Sequence, residues 1–155
     1  MNITTIGVLG AGQMGAGIAH AFLIAGSRVT VVEVDGPAAE SAKERVESDL
    51  VKSLERGKID GNLDTWTQNF SVSMDYADFA DCELVIEAVP ETWDLKVSSL
   101  QNVEANLRED AWLASNTSSL SIDGLAAELQ RPERFCGMHF FNPVPASKLV
   151  EIVLG

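Results

Sequence analysis

The feature that most constrains this chain is a glycine-rich turn between a short apolar segment and a helical one. The apolar run at residues 3–9 predicts a buried strand, and residues 14–25 have the composition of a helix that ends at Gly26. Between them lies the segment Gly10-Ala11-Gly12-Gln13-Met14-Gly15. A strand, a tight turn and a helix in this order begin a βαβ unit, so the pattern favours a parallel sheet.

The rest of the chain continues to alternate between strand and helix patterns. Predicted strands cover residues 28–34, 70–74, 84–89, 112–115, 135–140 and 149–154. Predicted helices cover residues 37–56, 95–107 and 121–129, and residues 57–63 are predicted to form a loop. We therefore expect an α/β fold of the Rossmann type, with a mostly parallel sheet and helices on both faces.

Composition bounds the kind of protein. A chain of 155 residues with 46% hydrophobic residues is long enough and apolar enough to form one globular domain. No apolar run approaches the roughly 20 residues that span a bilayer. The formal net charge of -12 argues against nucleic acid or an anionic membrane as partner. Cys82 and Cys136 predict neither a disulfide framework nor a metal site. Reduced thiols and an N-terminus with no room for a leader favour a cytoplasmic protein.

The glycine turn has the spacing of a dinucleotide-binding loop. Gly10 would permit the tight turn, Gly12 would let the backbone approach a pyrophosphate, and Gly15 would let the helix pack closely on the strand. Gln13 and Met14 lie in the same turn and are counted among the cofactor contacts, although Met14 also suits simple packing.

An acidic residue after the second strand predicts which dinucleotide binds. Asp35 falls 20 residues after Gly15, where a carboxylate would accept from a ribose 2′-hydroxyl and repel a 2′-phosphate. The sequence therefore predicts NAD rather than NADP as the cofactor. Glu33 is the competing acid, and strand alternation favours Asp35.

The last quarter of the chain carries the side chains for removing a proton from an alcohol. An imidazole has an unperturbed pKa of about 6.5, which suits a general base near neutral pH. His139 follows an apolar run among polar residues, Glu151 lies near an adjacent predicted strand, and Ser118 could hydrogen-bond the reacting oxygen. A lone histidine among aromatic residues is more often part of a core, so the residues alone leave both interpretations open.

Four segments together resemble the L-3-hydroxyacyl-CoA dehydrogenase family. They are Gly10-Ala-Gly-Gln-Met-Gly-Ala-Gly-Ile-Ala19, Val85-Ile-Glu-Ala-Val-Pro-Glu91, Asn116-Thr-Ser-Ser-Leu120 and His139-Phe-Phe-Asn-Pro-Val-Pro145. The similarity extends over essentially the whole chain in the right order, and the last two segments are highly specific.

The resemblance implies residue roles and ligands. It implies that His139 is the catalytic base, that Glu151 is its partner, and that Ser118 and Asn142 contact the substrate. It further implies NAD and an acyl-CoA as ligands, and a role in fatty-acid β-oxidation. It also implies that Glu91 and Lys96 contact the cofactor, in addition to the glycine turn and Asp35. Lys58 is implied to contact the CoA phosphates.

The family normally follows this domain with a helical one that mediates dimerisation and covers the acyl chain. Residues 1–155 match the NAD-binding domain alone, so we expect NAD binding, weak or absent turnover, and exposed apolar surface that favours self-association. The full-length family form is expected to be a homodimer. Two alternatives remain: a dehydrogenase of a small hydroxy compound without CoA, and a non-catalytic NAD-binding or crystallin-like protein.

Overall fold

A computed structural model describes residues 2–155 and shows one seven-stranded sheet in the order β3-β2-β1-β4-β5-β6-β7. The first six strands are parallel, and β7 runs antiparallel to β6. The predicted Rossmann-type fold is confirmed. The strands are β1 Thr5–Leu9, β2 Arg28–Val32, β3 Phe70–Ser73, β4 Leu84–Glu87, β5 Trp112–Ser115, β6 Phe135–Phe140 and β7 Val150–Val153.

Helices connect the parallel strands and enclose two separate apolar clusters. One cluster joins α1 and α2 to the sheet through residues such as Ile18 and Val46, and the other joins α4 and α5 to it through Leu100 and Leu125. Because each cluster lies on its own side of the strands, the central strands of the sheet are buried on both faces, whereas β7 is exposed. The α-helices are α1 Gln13–Ile24, α2 Gly36–Glu55, α3 Leu63–Thr67, α4 Trp93–Asn106 and α5 Ile122–Ala126.

Several boundaries differ from the sequence prediction by one to three residues, and two of these differences affect the local structure. Helix α3 begins where a loop was expected, because the Asn62 side chain accepts from Thr65 N at 3.1 Å and the Thr65 hydroxyl accepts from Asn62 N at 3.3 Å. This reciprocal capping stabilises a single helical turn. Strand β2 ends at Val32, two residues before the predicted end. The earlier end of β2 determines which of two acidic residues, Glu33 or Asp35, lies next to the end of the strand.

The antiparallel edge strand exposes apolar side chains. Leu149 is 61% exposed, Ile152 54% and Leu154 78%. The family resemblance led us to expect exposed apolar surface; that a second domain covers it, and that it favours self-association, stay predictions. Among residues 2–155, no helix combines the length and the apolar character needed to cross a membrane.

The two cysteines are buried and free. Burial, with a smaller effect of nearby Asp81, raises the pKa of Cys82 to about 11, and burial also raises the pKa of Cys136. Both are therefore neutral thiols near pH 7, which makes them poor nucleophiles.

A buried histidine joins α1 to α2 and makes stability depend on pH. His20 is 1% exposed, and its Nε2 lies 2.8 Å from Ser53 Oγ. Burial lowers the pKa of His20; the nearby Asp49 carboxylate raises it by less, and Lys58 lowers it slightly. The folded protein therefore holds a neutral imidazole at pH values where the unfolded chain, with a histidine pKa of about 6.5, binds a proton.

We expect the free energy of unfolding to fall as the pH drops below about 6.5, by up to about 1.4 kcal/mol per pH unit from this group. Urea unfolding at pH 7.5, 6.5 and 5.5 measures it, with His20→Gln as the comparison because glutamine can still contact Ser53 without titrating in this range. The decrease in the free energy of unfolding between pH 7.5 and pH 5.5 should be larger in the wild type than in His20→Gln. Parallel pH curves for the two proteins would show that His20 does not titrate on unfolding.

Candidate active site

A cleft of about 750 Å³ opens at the carboxyl ends of β1, β2 and β4. The cleft lies where the strand order reverses. The chain continues from β1 to β2 and β3 on one side, and then crosses to β4 on the other side of β1. Such a switch point is where open α/β sheets bind ligands. The cleft is lined by Leu9, Gly10, Gly12, Gln13, Met14, Val32, Glu33, Val34, Met74, Tyr76, Ala88, Val89, Pro90, Glu91, Leu95, Lys96, Ser99 and Asn116.

The glycine turn forms the floor of this cleft. Gly10 has a φ of 81°, which a residue with a Cβ rarely adopts, and a Cβ on Gly15 would lie 1.9 Å from the Gly10 carbonyl oxygen. A Cβ on Gly12 would meet no atom within 4 Å and would project into open space. The turn thus leaves room above the N-terminus of α1, where backbone N–H groups and the helix dipole favour a phosphate. The residues present fit a dinucleotide.

The acid that faces the cleft is Glu33, not Asp35. Glu33 directly follows β2, lines the cleft, and accepts hydrogen bonds from the backbone N–H groups of Ala11 and Val34. Asp35 instead caps α2, where its carboxylate accepts from Ala38 N at 2.8 Å. The placement therefore does not support the prediction that Asp35 faces the cofactor. The placement favours Glu33 instead, because β2 ends earlier than the alternation of residues in the sequence suggested.

The opposite wall of the cleft contains a buried ion pair. Lys96 is 1% exposed, and its ammonium lies 2.6 Å from a carboxylate oxygen of Glu87, which is 0% exposed. The same ammonium donates to the Val89 carbonyl at 2.9 Å. Sequence reasoning placed Lys96 at the cofactor but missed Glu87. A buried lysine needs a buried partner, and the acid in the Val85–Glu91 segment was an available signal.

A second, smaller cleft of about 240 Å³ contains the predicted proton-transfer residues Ser118, His139 and Glu151. His139 and Glu151 are directly opposed partners of the antiparallel pair β6–β7, so their side chains leave the sheet on the same face. His139 Nδ1 lies 3.4 Å from Glu151 Oε2. The His139 side chain is 24% exposed and the Glu151 side chain 60%, so both are accessible to a ligand.

Hydrogen bonds connect the two clefts. The loop after β5 is fixed on one side by Glu91, which accepts from Thr117 Oγ1 at 2.7 Å and from Ser118 N at 3.3 Å. On its other side, Asn116 Oδ1 accepts from Phe140 N at 2.9 Å, beside His139. This loop therefore holds Ser118 between the acid of the first cleft and the histidine of the second.

The two other predicted substrate residues lie in different places. Asn142 is exposed, and its Oδ1 accepts from Gln13 Nε2 at 3.4 Å, so it lies between the glycine turn and the histidine segment. Lys58 is exposed in the turn after α2, where its backbone N–H donates to Ser53 O at 2.9 Å. The structure thus brings Asn142 to the site and places Lys58 outside both clefts.

Comparison with known proteins agrees with this geometry. Residues 5–155 match the family profile described as the 3-hydroxyacyl-CoA dehydrogenase NAD-binding domain. The chain belongs to the 3-hydroxyacyl-CoA dehydrogenase family. Its cofactor is NAD.

Solved structures of the 3-hydroxyacyl-CoA dehydrogenase family superpose closely on the chain. The (S)-3-hydroxybutyryl-CoA dehydrogenase of Ralstonia eutropha is 39% identical, with a TM-score of 0.94 over 99% of this chain and 55% of that one. The 3-hydroxybutyryl-CoA dehydrogenase of Escherichia coli is 35% identical, with a TM-score of 0.91 over 98% of this chain and 32% of that one. A diketoreductase of dicarbonyl compounds is 31% identical, with a TM-score of 0.90 over 98% and 55%. The chain thus spans about half or less of the length of these relatives.

Within this family member, the described residues offer polar and acid–base groups rather than a metal centre. Among residues 2–155, no cluster of three or more His, Cys, Asp or Glu side chains is arranged to hold a metal ion. The arrangement offers a cleft that fits a dinucleotide and, in the second cleft, an imidazole and a carboxylate that can exchange a proton. Asn116 and Thr117 form hydrogen bonds that connect the two clefts, and the Asn116–Leu120 motif was the sequence signal for them.

Proposed function

We propose that this chain binds NAD and carries the proton-transfer residues for the reversible oxidation of an L-3-hydroxyacyl-CoA to a 3-ketoacyl-CoA. The observation that carries the proposal is the His139–Glu151 pair, which lines a cleft next to the cofactor cleft, with Ser118 on the same wall. The family membership supports the class of reaction, and two structural neighbours, both 3-hydroxybutyryl-CoA dehydrogenases, support the class of substrate.

When bound at the glycine turn, NAD would supply the acceptor for the hydride on C3 of the substrate. His139 takes the proton of the 3-hydroxyl group on Nε2, because Nδ1 faces Glu151 and a proton on Nδ1 leaves the Nε2 lone pair free. The Glu151 carboxylate holds the ring in this orientation and stabilises the imidazolium that forms. The C3–O bond becomes a carbonyl, so proton and hydride are both accounted for. Reduction reverses each step.

Two further residues, Ser118 and Asn142, are proposed to position the substrate oxygen relative to the cofactor. The Ser118 hydroxyl can donate to the C3 oxygen, since its backbone is fixed by Glu91 on the cofactor side. Asn142 contacts Gln13 of the glycine turn, so it can position the substrate relative to the nicotinamide end of the cofactor. Lys58, with its exposed ammonium, remains the proposed contact for the CoA phosphates.

We also propose that residues 1–155 act as a cofactor domain whose substrate cover comes from a second, helical domain. Val153 at the end of β7 and the adjacent Leu154 are exposed apolar residues that line the cleft containing His139 and Glu151, and apolar surface at that position suits a covering partner. Positioning and exclusion of water contribute much of a catalysed rate, so the chain by itself is expected to bind cofactor well and turn over slowly.

The test is NADH consumption with acetoacetyl-CoA, with NADH binding followed by fluorescence in the same sample. Binding with turnover supports the whole proposal. Binding without turnover supports the cofactor part, and adding the C-terminal half of a close relative then shows whether the substrate part holds. A chain that does not bind NADH would contradict the proposed function at its first step.

A second candidate has an observation in its favour. The diketoreductase neighbour catalyses reactions of dicarbonyl compounds. The same histidine–glutamate pair would serve such a substrate. Reduction of acetylacetone or free acetoacetate at rates matching acetoacetyl-CoA would favour this candidate, and a strong preference for the CoA ester would exclude it.

The choice of Glu33 as the ribose-binding acid makes a separate prediction. Glu33→Gln should weaken NADH binding about tenfold, the value of one hydrogen bond to a charged group, and should reduce the preference for NADH over NADPH. Asp35→Asn is the matched control, because that side chain caps α2 outside the cleft. Fluorescence titration with both cofactors measures the effect. Altered cofactor preference in Asp35→Asn, with Glu33→Gln unchanged, would reverse our assignment.

A further inference from the structure

A buried carboxylate beneath the cofactor cleft has a full set of hydrogen-bond donors. Glu87, the last residue of β4, is 0% exposed. Its Oε1 accepts from Lys96 Nζ at 2.6 Å and from Val89 N at 2.7 Å, and its Oε2 accepts from Ser115 Oγ at 2.5 Å. A carboxylate so deeply buried needs such compensation, and here the compensating cation is a residue of the cleft wall.

The charge of the cleft wall depends on this pair. Lys96 Nζ donates to Glu87 and to the Val89 carbonyl, which leaves one of its three N–H groups for the cleft that it lines. With Glu87 ionised, the pair is neutral as a whole. Without that carboxylate, the wall would carry one uncompensated positive charge in a site with little water to screen it.

The pair lies at the end of the cleft away from Glu33. Glu33 marks the adenosine-ribose end, on the β2 side of the sheet, whereas Lys96 and Asn116 line the cleft on the β4–β5 side, towards the strand that carries His139. This second end is where the nicotinamide ring must lie to meet the substrate. The ring is positively charged in NAD⁺ and neutral in NADH, so a charge in this wall acts differently on the two forms.

The carboxylate also fixes the substrate side of the site. Ser115 Oγ donates to Glu87 and accepts from Thr117 N at 3.2 Å, and Thr117 Oγ1 donates to Glu91 at 2.7 Å. Because Glu91 follows Glu87 by only four residues, these bonds close a ring that joins the loop after β4 to the loop after β5. Ser118 is the next residue along this ring.

We propose, on the basis of the proposed function, that Glu87 is a positioning residue that holds Lys96 against the nicotinamide end of the cleft and cancels its charge. Glu87 thereby sets the relative affinity of the protein for NAD⁺ and NADH. It touches neither the cofactor nor the substrate and acts through Lys96.

Glu87→Gln tests this, because glutamine keeps the size of the side chain and its hydrogen-bonding capacity but removes the charge. We expect the ratio of the Kd for NAD⁺ to the Kd for NADH to rise roughly tenfold, which corresponds to a charge interaction of about 1.4 kcal/mol. Calorimetric titration with each cofactor form measures both constants without any need for turnover.

Three further variants test the direction of the change in the ratio and provide a control. Lys96→Met leaves the carboxylate alone, so it should shift the ratio in the opposite direction, and the double variant Glu87→Gln/Lys96→Met should return it towards the wild-type value. Glu104→Gln is the matched control: Glu104 also accepts from two backbone N–H groups, those of Gln130 and Arg131, and pairs with Arg131, but it lies at the far end of α4. It should lower stability and leave both dissociation constants unchanged.

The outcomes separate this inference from the proposed function. A ratio that rises in Glu87→Gln and falls in Lys96→Met supports the inference. Equal weakening of both cofactor forms in both variants would overturn it and leave Glu87 as a structural residue only. If Glu87→Gln does not fold, the Lys96→Met ratio decides alone, since an unchanged ratio there overturns the inference as well. A wild-type protein that binds neither form contradicts the proposed function itself.

Discussion

Replacing His139 by glutamine is expected to reduce the rate of NADH oxidation by acetoacetyl-CoA by about 10²–10⁴-fold, the usual contribution of a general acid or base. NADH affinity should stay within about twofold, because His139 lines the smaller cleft and not the cofactor cleft. A single-turnover experiment with the protein in excess over NADH suits the measurement, since it registers slow chemistry.

Two other variants make the His139 result specific. Glu151→Gln should cost about 10–100-fold in the same assay, the value of one hydrogen bond to a charged group. His20→Gln, which changes the only other histidine of the chain, should leave the rate unchanged because His20 is buried between α1 and α2. If His139→Gln loses NADH binding and turnover to the same extent, His139 holds the cofactor and the proposed base is another group.

The start of the chain could be predicted from the sequence because its signals are local. A left-handed backbone at Gly10 and the close approach of Gly15 to the Gly10 carbonyl both require glycine, so the spacing alone specifies the turn. The alternation of apolar strands with helices then determines a parallel sheet, since parallel strands need such crossovers. These features depend on residues within a few positions of one another.

The choice between the two acids depends on a feature that is not local. The alternation pattern extends through Val34, but the ladder of β2 ends at Val32, and Glu33 N donates to Ser73 O of β3 as the chain leaves the sheet. Where a strand ends depends on the length of its neighbour. A shift of two residues moves Asp35 from the cleft to the N-terminus of α2, where its short carboxylate makes a good cap.

The contact within the proton-transfer site also depends on features that the local sequence does not show. His139 and Glu151 are 12 residues apart, and their contact depends on the antiparallel register of β6 and β7. A shift of the register by one residue would turn one of the two side chains to the other face of the sheet. The family resemblance supplied this pairing, and the residues alone did not. The burial of Glu87 was missed likewise, because an isolated sequence does not show that β4 lies at the centre of the sheet.

Replacing Gly12 by alanine is expected to weaken NADH binding by at least about 100-fold while leaving the fold intact. A Cβ at this position meets no protein atom within 4 Å, so the apo protein can accept it, but it projects into the space that the pyrophosphate must occupy. Displacing the phosphates from the N-terminus of α1 loses charge-assisted hydrogen bonds of about 1.5–3 kcal/mol each, and every 1.4 kcal/mol is tenfold in affinity.

Gly36→Ala is the matched control for this prediction, because Gly36 begins α2 and a Cβ there also meets nothing within 4 Å. It should match the wild type in both melting temperature and NADH titration, whereas Gly12→Ala should match it in melting temperature alone. Gly15→Ala is unsuitable for this purpose, since its Cβ would lie 1.9 Å from the Gly10 carbonyl oxygen and would disrupt the turn itself. Wild-type NADH affinity in Gly12→Ala would mean that the dinucleotide does not cross the glycine turn, and the cofactor cleft would then have to be reassigned.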